Sequence, residues 1–293
     1  MNQYKIINWK MNKKIHRKQA NIDSKVVEDF GKEWEAFNQE AFIGESLESA
    51  FNQYFCIFPM EKLNTNSVGF DMGCGSGRWA KLIAPKVKQL NCIDPSNLAL
   101  EQAKKNLSEF PNCKFECASV SDNTLETNSQ DFGYCLGVLH HIPNTLEGLK
   151  CCAEKMKKGA PFLLYMYYRF DNKPIWFKFI WKLSDIFRRV ISKLPFPIKL
   201  FVCFVIAVFI YYPLSRFSLL LEKLKINVSN IPLSDHRNKT FYVLKTDALD
   251  RFGTRLEKRF TKNEIREMMA KAGFKDISFS NGTPFWVAIG TKS

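Results

Sequence analysis

The 293-residue sequence lacks the patterns that mark several common classes of protein. It has only four histidines and no CxxC pair among its nine cysteines, so the usual spacings of zinc ligands are missing. Glycine and proline are too few for a low-complexity chain, and no segment of about 20–50 residues repeats, which argues against solenoids and propellers. The first residues carry charge but no apolar run like that of a signal peptide. We therefore expect free thiols, no metal site and a cytoplasmic protein.

Acidic residues are scarce in two segments of the chain. Residues 1–20 contain six basic residues and no acidic one, and residues 169–225 contain eleven basic and three acidic residues. These two segments account for the whole net charge of +14. Local basic charge favours anionic partners such as a membrane surface, a nucleic acid or a phosphorylated substrate. We interpret residues 1–20 as a flexible basic arm.

The hydrophobic pattern predicts a single α/β domain with additions. Apolar residues at helical spacing predict two helices, separated by Gly44, in an N-terminal helical cap over residues 21–60. Strand-like and helical segments then alternate over residues 61–168, and this pattern returns over residues 251–293. The fold class is therefore α/β, with a Rossmann-like, mostly parallel sheet and a C-terminal antiparallel hairpin. Residues 169–250 are predicted to be a helical lid insertion. The first five predicted strands cover residues 67–72, 87–93, 113–118, 132–138 and 161–168.

The most specific motif is VGFDMGCGSGRWA, residues 68–80, in which a strand brings Asp71 to a glycine-rich turn. Its three glycines are Gly73, Gly75 and Gly77. Glycine lets the backbone approach a ligand closely, and the helix that follows presents free N–H groups. Position 78 is Arg78, where a dinucleotide fingerprint has its third glycine, which argues against NAD. The alternative is a purely structural turn.

Two later segments fall in register with this turn. Asp94 ends the second predicted strand, 23 residues after Asp71, where an acid can accept hydrogen bonds from both hydroxyls of a ribose. The alternative for Asp94 is a helix-capping role. Ser119 and Val120 follow the third strand, where a loop touches an adenine ring or simply turns.

A histidine pair follows the fourth predicted strand in the segment CLGVLHHIPN, residues 135–144. This loop lies at the carboxyl edge of the predicted sheet, where open α/β sheets bind ligands. His140 or His141 is therefore a candidate to orient a substrate or take a proton. The alternative is that each histidine only stabilises the loop by hydrogen bonding.

Taken together, DMGCGSG, IDPS, the LHHIP loop and FTKNEIREMMAKAGFKDI resemble the class I S-adenosylmethionine-dependent methyltransferases. The similarity is greatest to the type 11 group, which includes quinone-biosynthesis methyltransferases. It is close over residues 67–168 and looser over residues 259–291. The resemblance implies S-adenosylmethionine as the cofactor. Methyl transfer from a sulfonium mainly requires that donor and acceptor be held in line, which fits the lack of a catalytic triad.

The resemblance also assigns site residues. In the family, the residues matching Asp71 and the three glycines hold the methionine part of the cofactor, and the match of Asp94 holds the ribose. The matches of Ser119 and Val120 flank the adenine, although many members carry Asp at the position of Ser119. A residue near Leu136 lies beside the methionine moiety.

The lid sequence combines positive charge with aromatic side chains. Residues 175–194 have an apolar stripe at helical spacing with basic residues beside it, which is typical of an interfacial helix. The uncharged segment Leu200–Ser215 spans about 24 Å as a helix, less than the ~30 Å of a bilayer core, and Pro213 is expected to interrupt it. The alternatives are a lid packed on its own sheet and peripheral contact with a membrane. Asp247 and Arg255 are candidates for the acceptor pocket or for a surface salt bridge.

We therefore expect methyl transfer from S-adenosylmethionine to a small-molecule or lipid-like acceptor, without a nucleic-acid partner. An NAD-dependent oxidoreductase is one alternative, but the nearest string to a Tyr-x-x-x-Lys motif, Tyr165 to Arg169, lacks the lysine. A non-catalytic, membrane-associated cofactor-binding protein is another. The expected location is the cytoplasm, with peripheral contact at the inner face of the membrane.

Overall fold

A computed structural model of the chain describes residues 21–36 and 45–293. The predicted basic arm and Gly44 lie outside these residues. The sheet has seven strands in the order β3-β2-β1-β4-β5-β7-β6. They are β1 Val68–Met72, β2 Gln89–Asp94, β3 Cys113–Cys117, β4 Phe132–Leu136, β5 Pro161–Tyr165, β6 Phe274–Phe279 and β7 Val287–Lys292. Neighbouring strands among β1 to β5 are parallel, and β7 is antiparallel to both β5 and β6. The predicted fold class and hairpin are confirmed.

Helices cover both faces of the sheet, as expected for a buried parallel sheet. In chain order the helices are α1 Ser24–Ala36, α2 Glu45–Phe55, α3 Ala80–Ile83, α4 Asn97–Asn106, α5 Thr145–Lys155, α6 Ile175–Ile191, α7 Phe196–Ile206, α8 Tyr212–Lys223, α9 Phe241–Gly253 and α10 Lys262–Lys271. Short 3₁₀ turns cover Met60–Lys62, Ala84–Lys86 and Ser234–His236. Side chains of α2, α3 and α4 share one core with the sheet, and those of α5 and α10 share the other.

The centre of the sheet is fixed by two glycine–phenylalanine pairs on neighbouring strands. In the register of β1 and β4, Gly69 lies beside Phe132 and Phe70 lies beside Gly133. A Cβ atom on Gly69 would lie 2.3 Å from the Phe132 ring, and one on Gly133 would lie 2.3 Å from the Phe70 ring. Each phenylalanine therefore packs over the glycine of the other strand, one pair on each face of the sheet.

Two predicted strands end earlier than the sequence pattern indicated. β4 ends at Leu136 because Gly137 adopts a left-handed backbone conformation with φ of +82°. β5 ends at Tyr165, and beyond it the chain pairs only briefly with the segment that returns from the lid. There the backbone N–H of Phe260 donates to the carbonyl of Tyr167, and that of Arg169 donates to the carbonyl of Phe260, both at 2.9 Å. The segments that lead into and out of the predicted insertion therefore lie side by side, at residues 167–169 and Phe260.

In the lid helices α6 to α8, charged side chains are buried and large apolar side chains are exposed, which is the reverse of the arrangement usual in a soluble protein. On α6, Arg188 is buried, whereas Phe179 is 68% exposed. On α7, Lys199 is buried at 1% exposure, whereas Phe201 is 66% exposed. Of the nineteen large apolar side chains that are exposed in the described part of the chain, eighteen lie between Ile175 and Ile226. The apolar stripe predicted from the sequence therefore faces outward.

One long helix runs from Phe196 to Lys223, and Pro213 does not interrupt it. A π-helical segment, Ala207–Tyr211, joins α7 to α8, and Pro213 is the second residue of α8, directly after this segment. The 28 residues span about 42 Å, longer than the hydrocarbon core of a bilayer. Within the residues described, this is the single helix that is long and apolar enough to cross a membrane.

The glycine–phenylalanine packing predicts a large effect for a small substitution. Gly69→Ala should lower the free energy of unfolding by about 1–3 kcal/mol, because the added methyl group overlaps the buried Phe132 ring. Gly282→Ala is the matched control, since a Cβ there meets nothing within 4 Å. Urea unfolding of both variants measures the difference. Equal stability of the two would contradict this account of the packing.

Candidate active site

A cavity of about 640 Å³ lies at the carboxyl edge of β1, β2, β4 and β5 and continues beneath the lid. This edge is where open α/β sheets bind their ligands. Residues of the glycine turn and of β2 form one wall, and residues of α1, α6 and α9 form the opposite walls. The lining includes Gly73, Gly75, Asp94, Leu136, His141, Glu33, Trp34, Arg78, Tyr54, Tyr165, Tyr167, Trp181, Tyr211, His236, Asp247, Asp250, Arg251 and Arg259.

The glycine turn after β1 can be built only by residues without a side chain. Gly73, Gly75 and Gly77 have φ values of +78°, +55° and +78°. A Cβ on Gly73 would also lie 2.3 Å from Val138, and one on Gly77 would lie 2.7 Å from Leu107. Gly73 and Gly75 line the cavity, whereas Gly77 packs toward α4. The turn therefore presents bare backbone to a ligand, which fits the tail of a nucleoside cofactor.

Asp94 is tied directly to this turn. One of its carboxylate oxygens accepts a hydrogen bond from the N–H of Gly75 and the other accepts one from the N–H of Ser96, both at 2.9 Å. Burial raises the pKa of Asp94 to about 6, and the two N–H donors oppose that rise. Ser96, and not Asp94, caps α4 through its side chain. A carboxylate has further acceptor capacity beyond these two bonds, so Asp94 can still receive ribose hydroxyls.

Asp71 lies deeper, on β1, and is 1% exposed. Burial raises its pKa to about 8, while the Tyr134 hydroxyl and Arg78 act in the opposite direction. Its Oδ2 atom has no hydrogen-bond partner among the described residues. Asp71 does not line the cavity, so its predicted contact with the methionine part of the cofactor stays a prediction.

The other residues assigned by resemblance differ in whether they line the cavity. Leu136 lies at the end of β4 and lines the cavity. Ser119 is buried in a tight turn in which its N–H and Oγ donate to Asp122 at 2.6 and 2.5 Å. Val120 packs in the core beneath the sheet. Neither Ser119 nor Val120 lines the cavity, and their contact with adenine stays a prediction.

The two histidines occupy different environments. His141 lines the cavity, and its Nδ1 lies 2.7 Å from the carbonyl of Leu256. Burial lowers its pKa to about 4. His140 is fully buried between the rings of His141 and Tyr167, and neither of its ring nitrogens has a partner in the described structure. Both side chains are neutral at pH 7, and their catalytic role stays a prediction.

Carboxylates from the lid and from α1 gather on the far side of the cavity. Asp250 on α9 accepts a hydrogen bond from the Tyr167 hydroxyl. Asp247, one turn earlier, has a carboxylate oxygen 2.5 Å from Nε2 of His236. Asp247 also lines the cavity, which is the position that a role in the acceptor pocket requires. Glu33 on α1 is close enough for Asp250 and Asp247 to help raise its pKa, although burial is the main cause.

Arg255 forms a salt bridge, which is the other role that the sequence allowed. Its guanidinium lies 3.5 Å from Asp29 of α1, in an ion pair outside the cavity lining. The neighbouring arginines that do line the cavity are already paired. Glu257 is 1% exposed and bridges Arg251 at 3.1 Å and Arg259 at 2.7 Å. Burial raises the pKa of Glu257, but the two arginines outweigh burial and hold the pKa below its ordinary value.

Sequence reasoning missed several residues of this site. Trp34 packs over Gly75, 3.1 Å from the position of a Cβ, and Arg78 stacks on Trp79 at 4.4 Å. Asp250 was missed because its partner Tyr167 is 83 residues away along the chain. The spacing of Asp247 and Asp250, three residues apart on one helix, was the available signal that both face one side.

Comparison with known proteins agrees with this geometry. Residues 70–164 match the methyltransferase domain family. The chain is 27% identical over 165 residues to a ubiquinone biosynthesis O-methyltransferase of Nitrosospira multiformis, a match that covers 51% of this chain and 64% of the relative. It is 29% identical over 93 residues to one of Nitrosomonas europaea, covering 31% and 39%. The chain thus spans less than two thirds of the length of the curated relatives that it matches.

Solved structures include a methyltransferase of Thermotoga maritima described as a possible histamine N-methyltransferase. The identity is 16% and the TM-score is 0.48, and the match covers 92% of this chain and 100% of the other. A phosphoethanolamine N-methyltransferase 2 of Haemonchus contortus matches with 17% identity and a TM-score of 0.49, covering 87% and 43%.

The family match, the order of the strands and the glycine turn together support a class I S-adenosylmethionine-dependent methyltransferase domain in this part of the chain. Residues 70–164 place this domain in the type 11 group of that class. The predicted family and the predicted cofactor, S-adenosylmethionine, are confirmed. The family match favours a methyltransferase over the NAD-dependent oxidoreductase that the sequence had left as an alternative.

The contacts of Asp94 lead to a prediction about cofactor binding. Asp94→Ala should weaken S-adenosylmethionine binding by about 1.5–3 kcal/mol, because a charged hydrogen-bond acceptor is lost. Because the carboxylate form is the better acceptor, affinity of the native protein should fall as the pH drops through about 6. Calorimetry at several pH values measures both effects. Glu267→Ala, at an exposed position of α10, serves as the control, and equal losses would refute the ribose role.

Proposed function

We propose that the protein transfers a methyl group from S-adenosylmethionine to a lipid-like acceptor, while its lid rests on the anionic, cytoplasmic face of a membrane. The observation that carries this proposal is the outward-facing apolar surface of the lid directly above the cavity. When bound, the cofactor supplies an electrophilic methyl group on a sulfonium. The chain holds donor and acceptor in one enclosed cavity and keeps water out.

The reversed polarity of the lid helices supports a membrane as their partner. A large contiguous apolar surface is rare on a soluble monomer and marks an interaction site. The lid keeps this surface outward because its charged residues are anchored inward. Arg188 pairs with Asp185 at 2.6 Å and donates to the carbonyl of Thr254 at 2.9 Å, and Lys199 pairs with Asp29 at 2.7 Å.

Charge at the edge of this surface favours anionic lipid. Lys182, Arg189 and Lys193 are exposed on and just after α6, and Lys223 and Lys225 are exposed at the end of α8. Long basic side chains beside an apolar face can reach lipid headgroups while the apolar residues enter the acyl region. The net charge of +8 over residues 169–225 has the sign that such a surface attracts.

The walls of the cavity fit an acceptor with an apolar body. Trp181 of α6 and Tyr211 of the π-helical segment line it from the lid, and Tyr165 lines it from the sheet. Ile180 and Ile210 line the cavity and are also 47% and 48% exposed, so they connect it with the outer apolar surface. An acceptor that is partly embedded in a membrane can thus extend from the lid into the cavity. The curated relatives act in ubiquinone biosynthesis, and a quinone-type ring on an isoprenoid tail has this shape.

Methyl-labelled cofactor gives the direct test of activity. The native protein, incubated with labelled S-adenosylmethionine and a fractionated bacterial extract, should transfer label to the lipid fraction. A polyprenylated catechol in phosphatidylglycerol-containing vesicles serves as a defined quinone-type probe. Absence of label from every fraction would favour a cofactor-binding protein without catalysis, and label confined to water-soluble compounds would refute the lipid-like acceptor.

Two leucines provide a matched pair for the membrane contact. Leu183 on α6 is 50% exposed, and Leu98 on α4, outside the lid, is 37% exposed. Leu183→Gln should weaken co-sedimentation with anionic vesicles by about 1 kcal/mol or more, roughly fivefold, because the apolar side chain no longer enters the bilayer. Leu98→Gln should leave it unchanged. Native protein that stays in the supernatant at low salt would refute the membrane contact.

The basic residues should add a salt-dependent contribution. Reversing Lys178, Lys182 and Arg189 to Glu should weaken vesicle binding most at low salt, where screening is least. Affinity for S-adenosylmethionine should barely change, because the glycine turn lies at the other end of the cavity. The same co-sedimentation assay at two salt concentrations measures this effect, and a loss independent of salt would contradict it.

A further inference from the structure

Methyl transfer to a hydroxyl requires a group that takes the proton of that hydroxyl. Neither histidine is well suited to this step. His141 has a pKa near 4, so at pH 7 it is a weak base, and His140 does not line the cavity. A base with a pKa near the working pH is more effective. Candidates are therefore the carboxylates that face the cavity from α1 and α9.

Most carboxylates near the cavity are already neutralised. Glu257 bridges two arginines, and Asp185 pairs with Arg188 and Arg189. Asp247 is occupied by His236. Burial raises the pKa of Glu33 well above its ordinary value, and the charges of Asp250 and Asp247 act in the same direction.

Asp250 differs from these groups in its contacts. It lines the same cavity as Gly73 and Gly75, and its Oδ2 atom accepts a hydrogen bond from the hydroxyl of Tyr167. Its Oδ1 atom is buried and has no partner among the described residues. Tyr167 follows the end of β5, so it lies at the sheet edge that carries the cofactor site. The tyrosine thus fixes the carboxylate beside the reaction space and leaves one oxygen to receive a proton.

The surroundings of Asp250 also set a suitable pKa. Burial is the main cause that raises it, to about 7, and the charge of Glu257 acts in the same direction. Positive charge on three arginines opposes this rise. These arginines are Arg259, Arg78 and Arg251. Other titratable groups in the same electrostatic environment are Glu33, Tyr54, Tyr165 and Asp247.

We propose that Asp250, positioned by Tyr167, is the general base that deprotonates a hydroxyl group of the acceptor, so that the protein is an O-methyltransferase. This inference rests on the proposed function. The O–H proton of the acceptor moves to Asp250, and the freed electron pair on oxygen forms the new bond to the methyl carbon. The carbon–sulfur bond of the sulfonium breaks and its electron pair remains on sulfur. The products are a methyl ether, a neutral thioether and a protonated carboxyl group, which then loses its proton to water.

Asp250→Asn tests the role of the base. It should lower turnover of the acceptor fraction labelled by native protein by about 10²–10⁴-fold while leaving affinity for S-adenosylmethionine unchanged. Native turnover should rise with pH through about 7, because only the unprotonated carboxylate accepts the proton, and this inflection should vanish in the variant. Glu267→Gln, a substitution at a surface position of α10, serves as the control and should keep both turnover and inflection.

Tyr167→Phe tests the positioning contact. Loss of the phenol donor destabilises the carboxylate, so the inflection should move to higher pH with a smaller loss of turnover. Carbon-13 NMR of the full chain with carboxyl-labelled aspartate gives a readout independent of turnover. One resonance should titrate near pH 7 and be missing from Asp250→Asn.

The outcomes separate this inference from the proposed function. If native protein labels no acceptor, methyl transfer itself fails. If it labels an acceptor but Asp250→Asn keeps native turnover and pH dependence, the base is wrong. If the pH inflection is instead lost in Asp247→Asn or in His141→Ala, the base is Asp247 or His141, and the assignment to Asp250 is wrong. Carbon-13 NMR of the product methyl group shows whether it is bonded to oxygen, and attachment to nitrogen or carbon would refute O-methylation.

Discussion

Two buried basic residues of the lid, Arg188 and Lys199, fix the orientation of the lid helices against the rest of the molecule. Arg188 and Lys199 are nearly inaccessible to solvent, and each finds its partners inside the protein. Removal of one partner from such a buried pair leaves an uncompensated charge, which commonly costs about 3–5 kcal/mol. Rotation of α6 would break the hydrogen bond from Arg188 to the carbonyl of Thr254, and rotation of α7 would break the pair of Lys199 with Asp29. The lid therefore keeps much of its apolar surface on the outside, while Trp181 and Tyr211 face the cavity.

The sequence was informative where local chemistry dictates structure. Gly73 and Gly77 could be recognised because the turn requires left-handed backbone, and the alternation of short apolar strands with helices predicted the parallel sheet. These features depend on a few neighbouring residues, and local patterns therefore sufficed.

Features that depend on distant contacts were not predictable in this way. An amphipathic helix has the same periodicity whether its apolar stripe faces inward or outward, so the orientation of α6 required knowledge of the partners of Arg188. The pairing of Tyr167 with Asp250 joins two ends of the insertion. Pro213 was expected to stop a helix because the widened π-helical turn before it has no clear sequence signature. Each of these outcomes is set by tertiary structure.

The predicted insertion leaves the sheet and returns to it at one place in the fold. Chain exit and return are held together by backbone hydrogen bonds between residues 167–169 and Phe260, which place no demand on the side chains of the intervening segment. The predicted cofactor residues Gly73, Gly75 and Asp94 all lie outside that segment, whereas many residues of the other cavity walls lie within it. Substitutions between residues 169 and 250 can therefore alter the far walls of the cavity without touching the glycine turn.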